Sequence, residues 1–168
     1  SSTFGQVRRE AASPADQRPL LRAWHDLGLL LCSRCSRKEK VELGATPANY
    51  DAIKLQEIKE GVRYLEQAVD GRARVLGNLH VGTIDSIHAL AFGLGEANRL
   101  DDAISCIRHV VVVRRRMLGE RHLDFLRSSE LEGLLRLRKL ERKGDGALEI
   151  EVVETMEYLL RMMEENEE

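Results

Sequence analysis

Three cysteines and five histidines carry most of the chemistry open to this chain. Cys32-x2-Cys35 and Cys106-x2-His109 together would supply four zinc ligands, because thiolate and imidazole are the usual donors of a tetrahedral site. Both pairs fall inside stretches of helical periodicity, with no knuckle glycine or turn between the ligands. Cys106 and His109 also lie between the apolar positions Ala103, Ile107 and Val110. The reading taken is thiols buried or half-exposed in packed helices, so no metal and no cofactor is expected. A thioredoxin-like role for Cys32 and Cys35 lacks the βαβ context it needs. Arg114, Arg115 and Arg116 could meet phosphate, but three arginines at a helix end in an acidic protein are expected on the surface. Glu149, Glu151 and Glu154 are neighbours only along the sequence, and a solvated helix face accounts for them. There is no phosphate-binding glycine loop, nucleophile elbow or HExxH pattern. Enzyme activity is not expected.

These residues must be placed by a fold, and composition narrows it. Hydrophobic residues make up 43% and charged residues 32%, with only 4% aromatic and three prolines. That balance favours an all-helical chain over an all-β one, which would draw on aromatic and β-branched residues. The formal net charge of −2 argues against a general nucleic-acid or membrane-surface binder. No run of about 18 apolar residues is present, so no direct membrane insertion is expected. Three cysteines do not make a disulfide framework and suggest an intracellular, reducing compartment. The cytoplasm is expected first and the mitochondrion second, since the Ser/Thr/Arg-rich start could end a presequence.

The chain repeats itself. Val75-Leu76-Gly77-Asn78-Leu79-His80 returns 42 residues later as Met117-Leu118-Gly119-Glu120-Arg121-His122. Gly61-x3-Leu65-x2-Ala68 returns at the same offset as Ala103-x3-Ile107-x2-Val110. A fixed period of this size is the mark of a helical repeat array. Apolar periodicity predicts six helices, over about 19–36, 50–76, 83–97, 101–118, 123–142 and 148–164. Thr83 is the expected N-cap of the third helix. Gly77 is expected to end the second helix as a left-handed residue. In the first, Leu20, Leu21, Trp24, Leu27, Leu31 and Cys32 should line one face, with Gly28 letting the partner helix approach. Val110 to Val113 read locally as strand, but the flanking helical period outweighs them. His80 and His122 fall at the repeat joins, where a ring should pack on the turn and hydrogen-bond it. Residues 1–16 read as a polar arm. Residues 17–168 read as the repeat domain, with an insertion around 37–56.

The unit from His80 to His122 resembles a tetratricopeptide repeat. It carries Leu90-Ala91 in its first helix, Leu100-Asp101-Asp102-Ala103 at the start of its second, and Leu118-Gly119-x2-His122 at the join. Leu100 stands where the family has an aromatic residue. Trp24-x2-Leu27-Gly28 matches the family's first-helix motif. The 42-residue period is similar to the kinesin-light-chain type of repeat. The third pair matches more loosely, with Gly133 where a small residue belongs and leucines that suit a register shifted by one or two.

The resemblance implies an all-α, right-handed α-solenoid of about three antiparallel helix pairs whose first helices line a concave groove. Its function would be protein–protein interaction, as a scaffold or adaptor. The alternative is a structural subunit built permanently into a larger multiprotein or ribonucleoprotein complex. Protein partners are implied; direct nucleic-acid binding is not. The family's groove positions fall on Asp85, His88, Phe92 and Glu96 in the central unit, and on Arg22, His25, Leu29 and Ser33 in the first. For His25 and His88 two readings stand, a ligand-facing pair or coincidence among five histidines. For Phe92, groove and packing on a neighbouring repeat are both open.

Overall fold

The computed structural model describes residues 14–36, 47–143 and 146–165. They form six helices: α1 Pro14–Ser36, α2 Pro47–Leu76, α3 Val81–Glu96, α4 Leu100–Leu118, α5 Leu123–Lys143 and α6 Gly146–Glu164. Among the described residues there is no strand, and Val110 to Val113 are helical. Each helix packs on the next, and α1 also touches α3, as α3 touches α5. The described residues form an all-helical, tetratricopeptide-like solenoid. The expected arm at 1–16 and insertion at 37–56 are helical where described, from Pro14 and from Pro47. The remainder of those segments, 1–13 and 37–46, lies outside the described residues.

Small residues set how closely the helices of a pair approach. A Cβ placed on Gly28 would lie 2.7 Å from Leu65 Cγ and 2.8 Å from the Gly61 carbonyl oxygen. In the next pair, Ala91 and Ala103 are fully buried. Around these contacts Ile58, Val62, Leu65, Ile84, Leu94, Ile107 and Val110 form a continuous core. Cys32 belongs to it. Its thiol packs where α1, α2 and α3 meet, against Gly61 and Gly93, and points at the Ile58 carbonyl.

Several expected core positions turn outward. In α1 the buried stripe is Leu21, Gly28 and Cys32, while Leu20 and Leu27 are exposed. Among the described residues α1 packs on α2 and α3 alone. Met117 is exposed at the end of α4, whereas Arg114, expected on the surface, is buried.

The joins follow the repeat. Gly77 has φ +93° and Gly119 φ +86°, a left-handed backbone that glycine adopts without steric cost. His80, not Thr83, caps α3: its Nδ1 accepts from the Gly82 amide at 3.0 Å. Thr83 is buried, and its hydroxyl donates to the Gly77 carbonyl at 2.8 Å. His122 repeats the cap, with Nδ1 accepting from the Asp124 amide at 3.1 Å. An imidazole nitrogen satisfies a first-turn N–H as a hydroxyl would, and leaves the threonine to bond the preceding turn. Asn98, at φ 63°, makes the short turn into α4.

Replacing Ala103 with Leu should overpack the α3–α4 contact and cost about 1–3 kcal/mol. A denaturant melt should show the midpoint fall with far-ultraviolet circular dichroism still helical. A wild-type midpoint would mean the helices do not meet there.

Candidate functional site

The odd-numbered helices touch in succession, whereas among the described residues no two even-numbered helices do. The first helices of the three pairs therefore form one closer-packed wall. Residues at corresponding turns come side by side across it. Leu29, Phe92 and Leu134 make an apolar row; His25, His88 and Glu130 make a polar one. Asp85, Arg114 and Arg127 lie at one side, and together these rows line a groove of about 790 Å³.

Six of the eight expected groove residues line it: His25, Leu29, Ser33, Asp85, His88 and Phe92. Arg22 borders an adjoining hollow of about 510 Å³ that shares His25 and Asp85 with the groove. Glu96 does not line the groove. Its carboxylate, with little exposure, accepts from Arg138 at 3.0 Å. Phe92 packs on the core and also lines the groove.

The α5 contribution, Arg127, Glu130 and Leu134, was missed in the sequence. These residues stand 42 positions after Asp85, His88 and Phe92, so one further step of the period finds them. No register shift occurs. Gly133 meets Met156 of α6, with a Cβ there 2.7 Å from Cγ, as the small residue at that position should.

Arg114 is the largest departure from expectation. From α4 its Nη1 donates to the Asp124 carbonyl at 3.0 Å and to Ser128 Oγ at 2.6 Å. Its Nη2 donates to Asp85 Oδ1 at 2.7 Å. One repeat earlier, Arg72 Nη1 donates to the Gly82 carbonyl and to Ser86 Oγ, both at 2.8 Å. Arg114, Asp124 and Ser128 stand 42 positions after Arg72, Gly82 and Ser86. Ser86 also contacts His25 Nδ1 at 3.3 Å. While that hydroxyl donates to Gly82, the imidazole must carry its proton on Nδ1 to bond it.

Both groove histidines resist protonation. Burial, then Arg72, lowers the pKa of His25, with Asp26 and Asp85 opposing. Burial and Arg114 lower that of His88 to about 4, against Asp85 and a backbone hydrogen bond with Arg127. The Nε2 of His88 is buried with no hydrogen-bond partner. No set of His, Cys, Asp or Glu side chains able to hold a metal occurs among the described residues. Cys106 is half-buried on α4, and burial raises its pKa. No described helix is long and apolar enough to cross a membrane.

Residues 83–124 match the tetratricopeptide repeat family model. That match covers α3 from Thr83, α4 and the start of α5, and it supports a tetratricopeptide repeat protein. No curated protein and no solved structure matches the chain significantly. Tetratricopeptide repeats generally mediate protein–protein interaction or scaffolding, and the fold is typically non-catalytic.

Two measurements follow from the buried polar groups. Arg114→Met removes the donor shared by the Asp124 carbonyl, the Ser128 hydroxyl and the Asp85 carboxylate and should cost about 1–3 kcal/mol, more than Arg72→Met, which releases no carboxylate. Equal losses in paired denaturant melts would remove the distinction. His88 is the second. The unfolded chain takes up a proton near pH 6.5, which the folded chain refuses until about pH 4. Its contribution to stability is therefore present above pH 6.5 and is lost as pH falls through that window. His88→Gln should flatten the fall in melting temperature between pH 7 and pH 4.5 relative to wild type; an unchanged slope would show that His88 protonates freely in the fold.

Proposed function

We propose that the chain is a protein–protein interaction module of the 42-residue, kinesin-light-chain-like kind, which holds a partner segment along the wall formed by α1, α3 and α5. The observation that carries this is the row Leu29, Phe92 and Leu134, one apolar residue per pair, bordered by polar side chains in one continuous groove. A helical or extended segment can set apolar residues on that row and polar ones beside it. The unpaired Nε2 of His88 adds a polar atom that an incoming donor would satisfy. The setting proposed is an intracellular, reducing compartment, the cytoplasm before the mitochondrion.

A second reading has its own support. α1 exposes Leu20, Leu27 and Leu30, and α6 exposes Ile150, Tyr158 and Leu160. Apolar residues on both terminal helices suit a subunit covered at its ends inside a larger assembly. The purified chain separates the two: a cooperative monomer supports the adaptor, and aggregation or partial folding supports the subunit.

The groove is tested by a photo-crosslinking residue at position 92, with another at the exposed Val112 of α4 as control. Partners should be trapped from 92 and not from 112. For a partner so identified, Phe92→Ala should weaken binding by at least about tenfold, as loss of an anchor aromatic does, at a smaller cost in stability than Ala103→Leu. Equal destabilisation with unchanged binding would place Phe92 in the core alone.

A further inference from the structure

Core positions of the central pair turn polar in the third. Ile87, Leu90 and Leu94 of α3 pack in or against the core. The residues 42 positions later on α5 are Ser129, Glu132 and Arg136. Neighbours that keep their character fix this register. Ala91 and Gly133 are both small where the second helix of the pair approaches, and Ser86 and Ser128 both receive a joint arginine. Successive pairs of an array need like contacts at such positions, so three polar residues among them are a departure that packing does not ask for.

A cleft of about 450 Å³ lies at the place of that departure, bounded by α5, α6 and the end of α4. Ser129, Glu132 and Arg136 all line it, and Phe125, Met156, Leu159 and Met162 give it apolar surface. Its size is within the usual range for small-molecule sites. It shares no residue with the groove along α1, α3 and α5.

The charges in it do not cancel. Glu132 has little exposure and accepts from Arg136 and, at 3.4 Å, from Arg108 of α4. Two guanidinium groups thus share one carboxylate among the described residues. Arg115 and Glu120, also in the lining, pair with each other. The Ser129 hydroxyl is committed to the Phe125 carbonyl at 3.1 Å. Arg136 Nε is buried and has no hydrogen-bond partner among the described residues. One positive charge and one donor are therefore left over beside an apolar wall.

We propose that this cleft binds a small amphipathic carboxylate of the fatty-acid class, with its head on Arg136 and its alkyl chain against Phe125, Met156 and Met162. A singly charged head matches the single charge left over, and the guanidinium fork fits a carboxylate. Methionine side chains are flexible enough to follow an alkyl chain. The site is separate from the groove and does not rest on the groove reading.

The test is calorimetric titration of the full chain with octanoate below its micelle concentration, beside octanol and octylammonium. Octanoate should bind at one site and raise the melting temperature. The other two should bind at least about tenfold more weakly. Arg136→Gln should weaken octanoate about tenfold and change octanol less than about twofold. The double variant E132L/R136L carries the residues of the central pair at both positions. It should also lose octanoate by at least about tenfold, yet melt no lower than wild type, because apolar residues can replace a buried ion pair without loss. Arg136→Gln keeps Glu132 and its bond to Arg108, so it tests the head even where the double variant fails to fold. No saturable uptake of octanoate would overturn the site. Equal affinity for all three ligands would show a hollow that does not recognise the head, and would overturn the carboxylate. Octanoate binding that survives in both variants would put the ligand elsewhere and overturn the assignment. None of these results bears on the groove.

Discussion

A guanidinium closes each joint between the second helix of one pair and the first helix of the next. Arg72 and Arg114 each leave a helix near its end and bond a carbonyl and a serine hydroxyl in the first turns of the following helix. The hydroxyl in turn donates to that same carbonyl, so three groups lock one another. A histidine cap holds the same turn from its other side. A helix pinned there cannot rotate about its axis, and each residue of rotation would move a side chain by about 100°. The joint therefore decides which residues of α3 and α5 face the groove. Asp85, His88 and Phe92 are aimed at the groove together because Ser86, beside Asp85, is held.

Such a frame repeats, whereas the groove does not. Leu65 and Ile107, Ala68 and Val110, Ser86 and Ser128 occupy like positions and are all buried. Across the groove and the hollow beside it the like positions differ: Arg22, Asp85 and Arg127 in one row, His25, His88 and Glu130 in the next. Stacked pairs need near-identical contacts with their neighbours to continue the array. Residues that face away from those contacts are under no such constraint. Variation concentrated there is what a binding surface on a fixed scaffold requires.

The architecture was legible because its signals are local. The doubled Leu-Gly-x2-His join, the small residues Gly28 and Ala103 and the apolar period each act within a few turns. Six groove residues were legible for the same reason, since a helix face follows from one register. What was not legible depends on partners distant in sequence. Arg114 reads as the charged end of a helix; only Asp85, 29 residues earlier, and Ser128, 14 later, make it a buried bond. Glu96 reads as a groove residue until Arg138, 42 residues on, claims it. Thr83 reads as a cap because hydroxyls usually are, and the imidazole of His80 takes that role through a bond two residues long.

Apolar residues in place of Arg114, Asp85 and Ser128 could bury as much surface, and buried ion pairs are often no more stabilising than such replacements. Apolar packing alone is also permissive. A leucine on α4 would tolerate α5 turned by some tens of degrees, and the groove would turn with it. The guanidinium accepts one arrangement, because its donors are planar and their acceptors are fixed on two helices. The polar joint thus serves the placement of the groove more than the cohesion of the core. In the first joint the frame around Arg72 is held by Gly82 and Ser86 without a carboxylate from its own pair, so the placement of α3 rests on the carbonyl and the hydroxyl.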